Sequence, residues 1–151
     1  MRDDRVEIFV PDLPEPPSHY VHVVRAGQMV FVSGCSALDP SGEVVGGDDV
    51  VAQARQVFEN LKKSLEAAGA SFADVCKVTV YLRDGADRDR INPVRQEYFG
   101  ATRPASTLVQ VAGFSRGDVL VEIEAIAVVP TATSPWDAVP PDSLLEPPEH
   151  A

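Results

Sequence analysis

Proline placement sets the first limit on what this chain can fold into. Pro11, Pro14, Pro16 and Pro17 keep the leading segment extended, and Pro130, Pro135, Pro140, Pro141, Pro147 and Pro148 do the same for the trailing one. Each ring fixes φ and removes a backbone donor. The stretch from about Tyr20 to Val129 is poor enough in proline to carry continuous helices and strands. A domain is therefore expected over residues 19–130, after an extended proline-rich segment at 1–18 and before a proline-rich tail at 131–151. That tail holds Trp136 and the Leu144-Leu145 pair, which suit either disorder or a strap over a neighbouring surface. A chain of 151 residues supports one hydrophobic core, not two.

Periodicity then assigns the elements. The apolar run Met29 to Val32, ending at Gly34, predicts a strand buried on both faces. "DVVAQARQVFENLKKSLEAAG" puts Val50, Ala54, Val57, Phe58, Leu61, Leu65 and Ala68 on one stripe, after Asp48 and Asp49 and before Gly69, which predicts an amphipathic helix. "CKVTVYL" alternates, so Cys76, Val78, Val80 and Leu82 are expected in the core and Lys77, Thr79 and Tyr81 on the other face. "INPVRQEYFG" predicts a second helix capped by Asn92, with Pro93 at its first position and Ile91, Val94 and Tyr98 inward. "STLVQVA" and "DVLVEIEAIAVV" read as two strands joined by "GFSRG", close enough for a hairpin. Strands with two helices on one face make an α+β layer whose other face is apolar enough to need cover by oligomerisation.

Charge narrows the function classes. With a net charge of -10 and few basic residues in any one stretch, the chain is a poor partner for nucleic acid or anionic membranes. No basic leader with an apolar core and no run of membrane-spanning length is present, so a soluble cytoplasmic protein is expected. Cys35 and Cys76 are too few for a disulfide framework, which fits a reducing compartment. His19 and His22 lack further ligands at metal-binding spacing, so neither metal nor cofactor is expected.

The last strand raises the chemical question. Leu120, Glu122, Glu124 and Ile126 share one face of it, and Val119, Val121, Ile123 and Ala125 the other. Two carboxylates on an apolar strand suit either a solvated edge or a partly desolvated cleft in which a carboxyl group can pass protons.

Tyr20, "VSG" at Val32 to Gly34, "LDPSGEVVGGD", "QARQVFENLKKSLEAAGAS", "DVCKVTVYLRD", "INPVRQEYFG", "RPA" and "VEIEAIA" occur in one order from about Tyr20 to Val128. Together they resemble the RidA/YjgF family of enamine and imine deaminases. The resemblance implies a chorismate-mutase-like α+β fold and a homotrimer with its sheets lining a central barrel and its helices outside. Three sites for a small-molecule substrate would then lie between subunits. It assigns Glu122 to the glutamate that holds the attacking water and moves its proton, with Glu124 its neighbour. Tyr20 corresponds to the aromatic closing the pocket, Ser33 and Gly34 to the turn beside it, and Asn92 to the asparagine near the cleft. A tyrosine at a strand start and an asparagine at a helix cap also have ordinary structural uses.

Two positions depart from the family pattern. Where its deaminases carry an arginine after "RPA" to grip the substrate carboxylate, this chain has Ser106, followed by Thr107. Arg103 precedes "PA" in the family alongside that arginine and does not replace it. Serine supplies no charge, so the resemblance implies poor handling of 2-imino acids, unless Arg25 or Arg116 holds the anion, and a gain on Ser106→Arg. The second departure is Cys35 after Gly34, where glutamine is usual; it reads as a buried inert thiol more readily than as a nucleophile without a base. Three functions follow: an imine- or enamine-processing enzyme with altered specificity, a non-catalytic small-molecule-binding trimer, and an endoribonuclease, which the acidic composition disfavours.

Overall fold

The computed structural model describes residues 4–130, so Trp136 and the Leu144-Leu145 pair lie outside the described residues. Three strands, β1 (Arg5–Ile8), β2 (Val23–Ala26) and β3 (Met29–Cys35), precede helix α1 (Val50–Ala67). Then come β4 (Val75–Leu82), helix α2 (Arg88–Phe99), β5 (Ala105–Gln110) and β6 (Val121–Val128). They form one sheet in the order β1-β2-β3-β6-β4-β5, antiparallel except for the β4–β5 pair. The leading segment thus supplies an edge strand, β1, beyond those that periodicity assigned.

α1 forms where its sequence demands. Asp49 caps it, its side chain accepting from the Val51 and Ala52 amides, and Gly69 follows at φ +78. Its stripe of Val50, Ala54, Val57, Phe58, Leu61 and Leu65 is buried against Val30 and Val32 of β3 and Val121, Ile123 and Ala125 of β6. Each large side chain so buried contributes about 1.5–3 kcal/mol. Phe58 also stacks on Tyr98 of α2, with ring centroids 5.0 Å apart, joining the two helices over one face of the sheet.

Four expectations are corrected. β3 is not buried on both faces: Val30 and Val32 face the helices, while Met29 and Phe31 stay 42% and 39% exposed on the bare side. Cys76 is exposed and Val75 takes the inward place, because β4 carries an extra residue between Val75 and Lys77, opposite Ala127 and Ile126 of β6. α2 begins at Arg88, four residues before Asn92, so Asn92 is no cap. The chain enters α2 from a 3₁₀ turn over Gly85–Asp87, with the Asp84 side chain accepting from the Ala86 amide, and Pro93 falls inside the helix. β5 and β6 form no hairpin. The crossover through α2 lays β5 parallel to β4, and β6 fills the slot between β3 and β4, where both neighbours offer antiparallel pairing.

Candidate active site

The site forms where β3 loses register with β6 between Val32 and Cys35. There the chain opens a cavity of about 730 Å³, lined by Tyr20, Ser33, Gly34, Cys35 and Glu122 among others. Glu122 projects from β6, held between Val121 and Ile123, both fully buried under the helices. Its Oε2 accepts a hydrogen bond from Ser36 Oγ at 2.9 Å. Its other oxygen lies against Gly34: a Cβ on that residue would stand 2.2 Å from Oε1. Only glycine leaves room there for the carboxylate where it stands.

The wall of the cavity is built from the leading segment. Leu13, Pro14, Glu15, Pro17 and Ser18 line it, and His22 ties that segment down. The Val10 amide donates to His22 Nδ1 at 2.8 Å, so the ring proton sits on Nε2, which donates to the Pro14 carbonyl at 2.9 Å. Ser33 spends its hydroxyl on the Val21 carbonyl at 2.6 Å. Tyr20 is 45% exposed at the cavity, and burial, then the charge of Glu122, raises its hydroxyl above the ordinary tyrosine range.

Cys35 faces the helices, and burial pushes its thiol up to about 12, with Glu122 adding to the rise. A thiol so raised is not a nucleophile near neutral pH. Cys35 is expected to remain unmodified by iodoacetamide at pH 8 in the folded protein and to react on unfolding. Peptide mass spectrometry reads this directly, and rapid alkylation of the native protein would contradict it.

Periodicity missed several groups that shape the cavity. Gln53, Asn60 and Ser64 are buried on the inner stripe of α1. Asn60 Nδ2 donates to the carbonyls of Ser36 and Leu38, fixing the loop that carries Ser36 to Glu122. Gln53 bonds the Asp118 carbonyl and the Leu120 amide, fixing the start of β6. The available signal was polar side chains at core spacing on an apolar helix face. Arg116 also lines the cavity, but its donors are taken by Asp118 and the Gly42 carbonyl. Arg25 is held by the carbonyls of Gly27 and Ala68.

The remaining expected residues lie elsewhere in the chain. Glu124 accepts from Tyr81 Oη at 2.7 Å on the bare sheet face and does not line the cavity. Thr107 accepts from Lys77 Nζ at 3.0 Å. Asn92 is exposed on α2. Ser106 pairs in register with the inward Val78, on the helix side of β5, and accepts from Arg95 Nη2 at 2.8 Å. β5 is two strands from β6, so Ser106 and Glu122 do not meet within one chain.

Two helices on a mixed sheet, with a glutamate of a central strand set in a cavity of small-molecule size, define the class as an α+β protein with a small-molecule site. Residues 11–129 match the family described as Endoribonuclease L-PSP, the RidA/YjgF/RutC family, and the chain belongs to it. It is 43% identical to the 3-aminoacrylate deaminase RutC of Acinetobacter baylyi over 82% of this chain and 98% of that one. It is 41% identical to the 2-iminobutanoate/2-iminopropanoate deaminase of Salmonella typhimurium, over 80% and 95% of the two chains. Among solved structures, E. coli TdcF with bound serine superposes with a TM-score of 0.75 at 41% identity, covering 82% of this chain and 98% of that one. Relatives in the family are thus named as imine and enamine deaminases.

Proposed function

We propose that this protein hydrolyses a small reactive imine or enamine to a carbonyl compound and ammonia, with the substrate contact altered from the family pattern at Ser106. The observation that carries the reading is the Glu122 carboxylate, set at the cavity between Ser36 and Gly34. Water adds to the electrophilic carbon of the protonated imine as Glu122 takes its proton, leaving a neutral carbinolamine. The protonated carboxyl then returns that proton to the nitrogen, and as the C–N bond breaks and ammonia leaves, the C=O bond forms and the hydroxyl proton passes to the Glu122 carboxylate. An enamine first takes a proton on carbon to become the protonated imine. Tyr20, at the cavity mouth, closes over the substrate. The cavity's intact wall and its acid support chemistry, while Ser106 supports the second reading, a trimer that binds a small molecule without turnover. RNA cleavage, which the family description names, is disfavoured by the net charge of -10. The free thiols Cys35 and Cys76 suit a reducing cytoplasm.

The site is proposed to be completed by a second copy. The bare sheet face carries Met29, Phe31, Val109 and Val128, each at least 39% exposed, next to Glu124 and Tyr81. A homotrimer closes that face and brings the β5 edge of one copy, with Asn92, Ser106 and Thr107, to the cavity of the next. Sedimentation equilibrium is expected to give a trimer, and a stable monomer would rule this arrangement out.

The function is tested by generating imines in situ from amino acids with an amino-acid oxidase and following the carbonyl product. Acceleration of imine decay over the uncatalysed rate is the expected result. Saturable binding with no acceleration for any imine tried would favour the non-catalytic reading.

A further inference from the structure

The chain has 23 acidic residues against 13 basic ones, and five of its arginines find carboxylates. Arg5, Arg55, Arg88, Arg90 and Arg116 each form an ion pair. Arg95 does not, among the described residues, although it is half-buried; of the other described arginines outside ion pairs, Arg25 and Arg83 are held by backbone carbonyls and Arg103 is exposed. Its one side-chain partner is the neutral Ser106 Oγ, at 2.8 Å. Burial holds its guanidinium below the ordinary arginine range, the direction expected for a cation taken partly out of water without a counter-charge. Asn92 stands three residues earlier on α2, on the same side of the helix. Arg95 and Ser106 thus form a polar pair at the free edge of β5, one turn of α2 from Asn92, and among the described residues Nη2 is the one guanidinium nitrogen that makes a hydrogen bond.

We propose that Arg95 holds the carboxylate of an anionic imine or enamine substrate, supplying from α2 the charge that Ser106 does not supply from β5; this rests on the intersubunit site proposed above. A serine accepts one N–H and is short enough to leave the rest of the fork facing outward, so Ser106 acts as a positioning residue for Arg95. A second arginine at position 106 would instead set two like charges side by side. The consequence reverses the one drawn from Ser106 alone: 2-imino acids are substrates, and Ser106→Arg in the otherwise unchanged protein brings no gain.

The test compares 2-oxobutanoate, a stable carboxylate of the product type, with its neutral amide, using calorimetric titration of the full chain. Wild type is expected to favour the carboxylate by about ten- to a hundredfold, the worth of a charge-assisted pair. Arg95→Gln should abolish that preference while leaving amide binding unchanged, a split that loss of a purely structural contact would not produce. Arg95→Lys should keep a reduced preference, since it keeps charge but not the fork, and it serves in place of Arg95→Gln if the latter does not fold. Arg95→Gln/Ser106→Arg should restore the preference. An undiminished carboxylate preference in Arg95→Gln, or none in wild type, overturns the proposal. If no imine is turned over while the Arg95-dependent preference persists, the enzymatic reading fails and the anion site stands.

Discussion

Glu122→Gln is expected to lower kcat/KM for the best imine substrate by about 10²- to 10⁴-fold, the usual worth of a positioned general acid–base. The substitution keeps size and shape, and the amide oxygen still accepts from Ser36 Oγ, so the fold and the cavity wall stay as they are. What is lost is the ability to take a proton from water and return it to nitrogen. Glu124→Gln is the control. That residue is held by Tyr81 on the bare sheet face and does not line the cavity, so its effect should be much the smaller. Rates for the two variants, measured alongside thermal melting, decide the assignment. Full activity in Glu122→Gln would remove the proposed mechanism, and a larger loss in Glu124→Gln would transfer the role to that neighbour.

Much of this arrangement is legible in the sequence because it is written in local period. The α1 stripe and the alternation in β6 each depend on side-chain spacing within one element, and both emerge as read, with Val121, Ile123 and Ala125 inward and Glu122 on the other side. The misread features depend on partners distant in the chain. The bulge that turns Cys76 outward exists only in the pairing of β4 with β6, and alternation counted along one strand passes straight through it. Likewise, β5 and β6 are close in sequence, yet β4 separates them in the sheet, a consequence of the parallel crossover through α2. The short link therefore suggested a hairpin that the topology does not contain.

The site divides in the same way. Tyr20, Ser33, Gly34, Cys35 and Glu122 come together around one cavity, but its wall comes from a proline-rich segment that carries no periodicity to read. His22 shows why that segment is ordered: one ring ties the Val10 amide and the Pro14 carbonyl, a contact no spacing rule announces. Arg95 was hidden for a different reason. Its place beside Ser106 depends on how α2 lies along β5, and on sequence it is one arginine among several on a charged helix.

Gly34→Ala is the second large effect expected, and it separates the position of the carboxylate from its chemistry. Gly34 carries no positive φ, so alanine meets no backbone strain; the obstacle is the Glu122 side chain, whose Oε1 and Cδ would lie 2.2 and 2.8 Å from the new Cβ. The far end of a glutamate moves more easily than a strand does. The expected outcome is therefore a small change in melting temperature together with a displaced carboxylate. A shift of about 1 Å in a reacting group can cost on the order of 10²-fold in rate, and a loss of that size in kcat is expected here. If the loss acts through Glu122, it cannot add to removal of the acid: Gly34→Ala/Glu122→Gln should be no slower than Glu122→Gln alone. Wild-type activity in Gly34→Ala would mean that the carboxylate need not stand where Gly34 lets it. A double variant slower than both single ones would mean that Gly34 serves the reaction by another route, through the shape of the cavity itself.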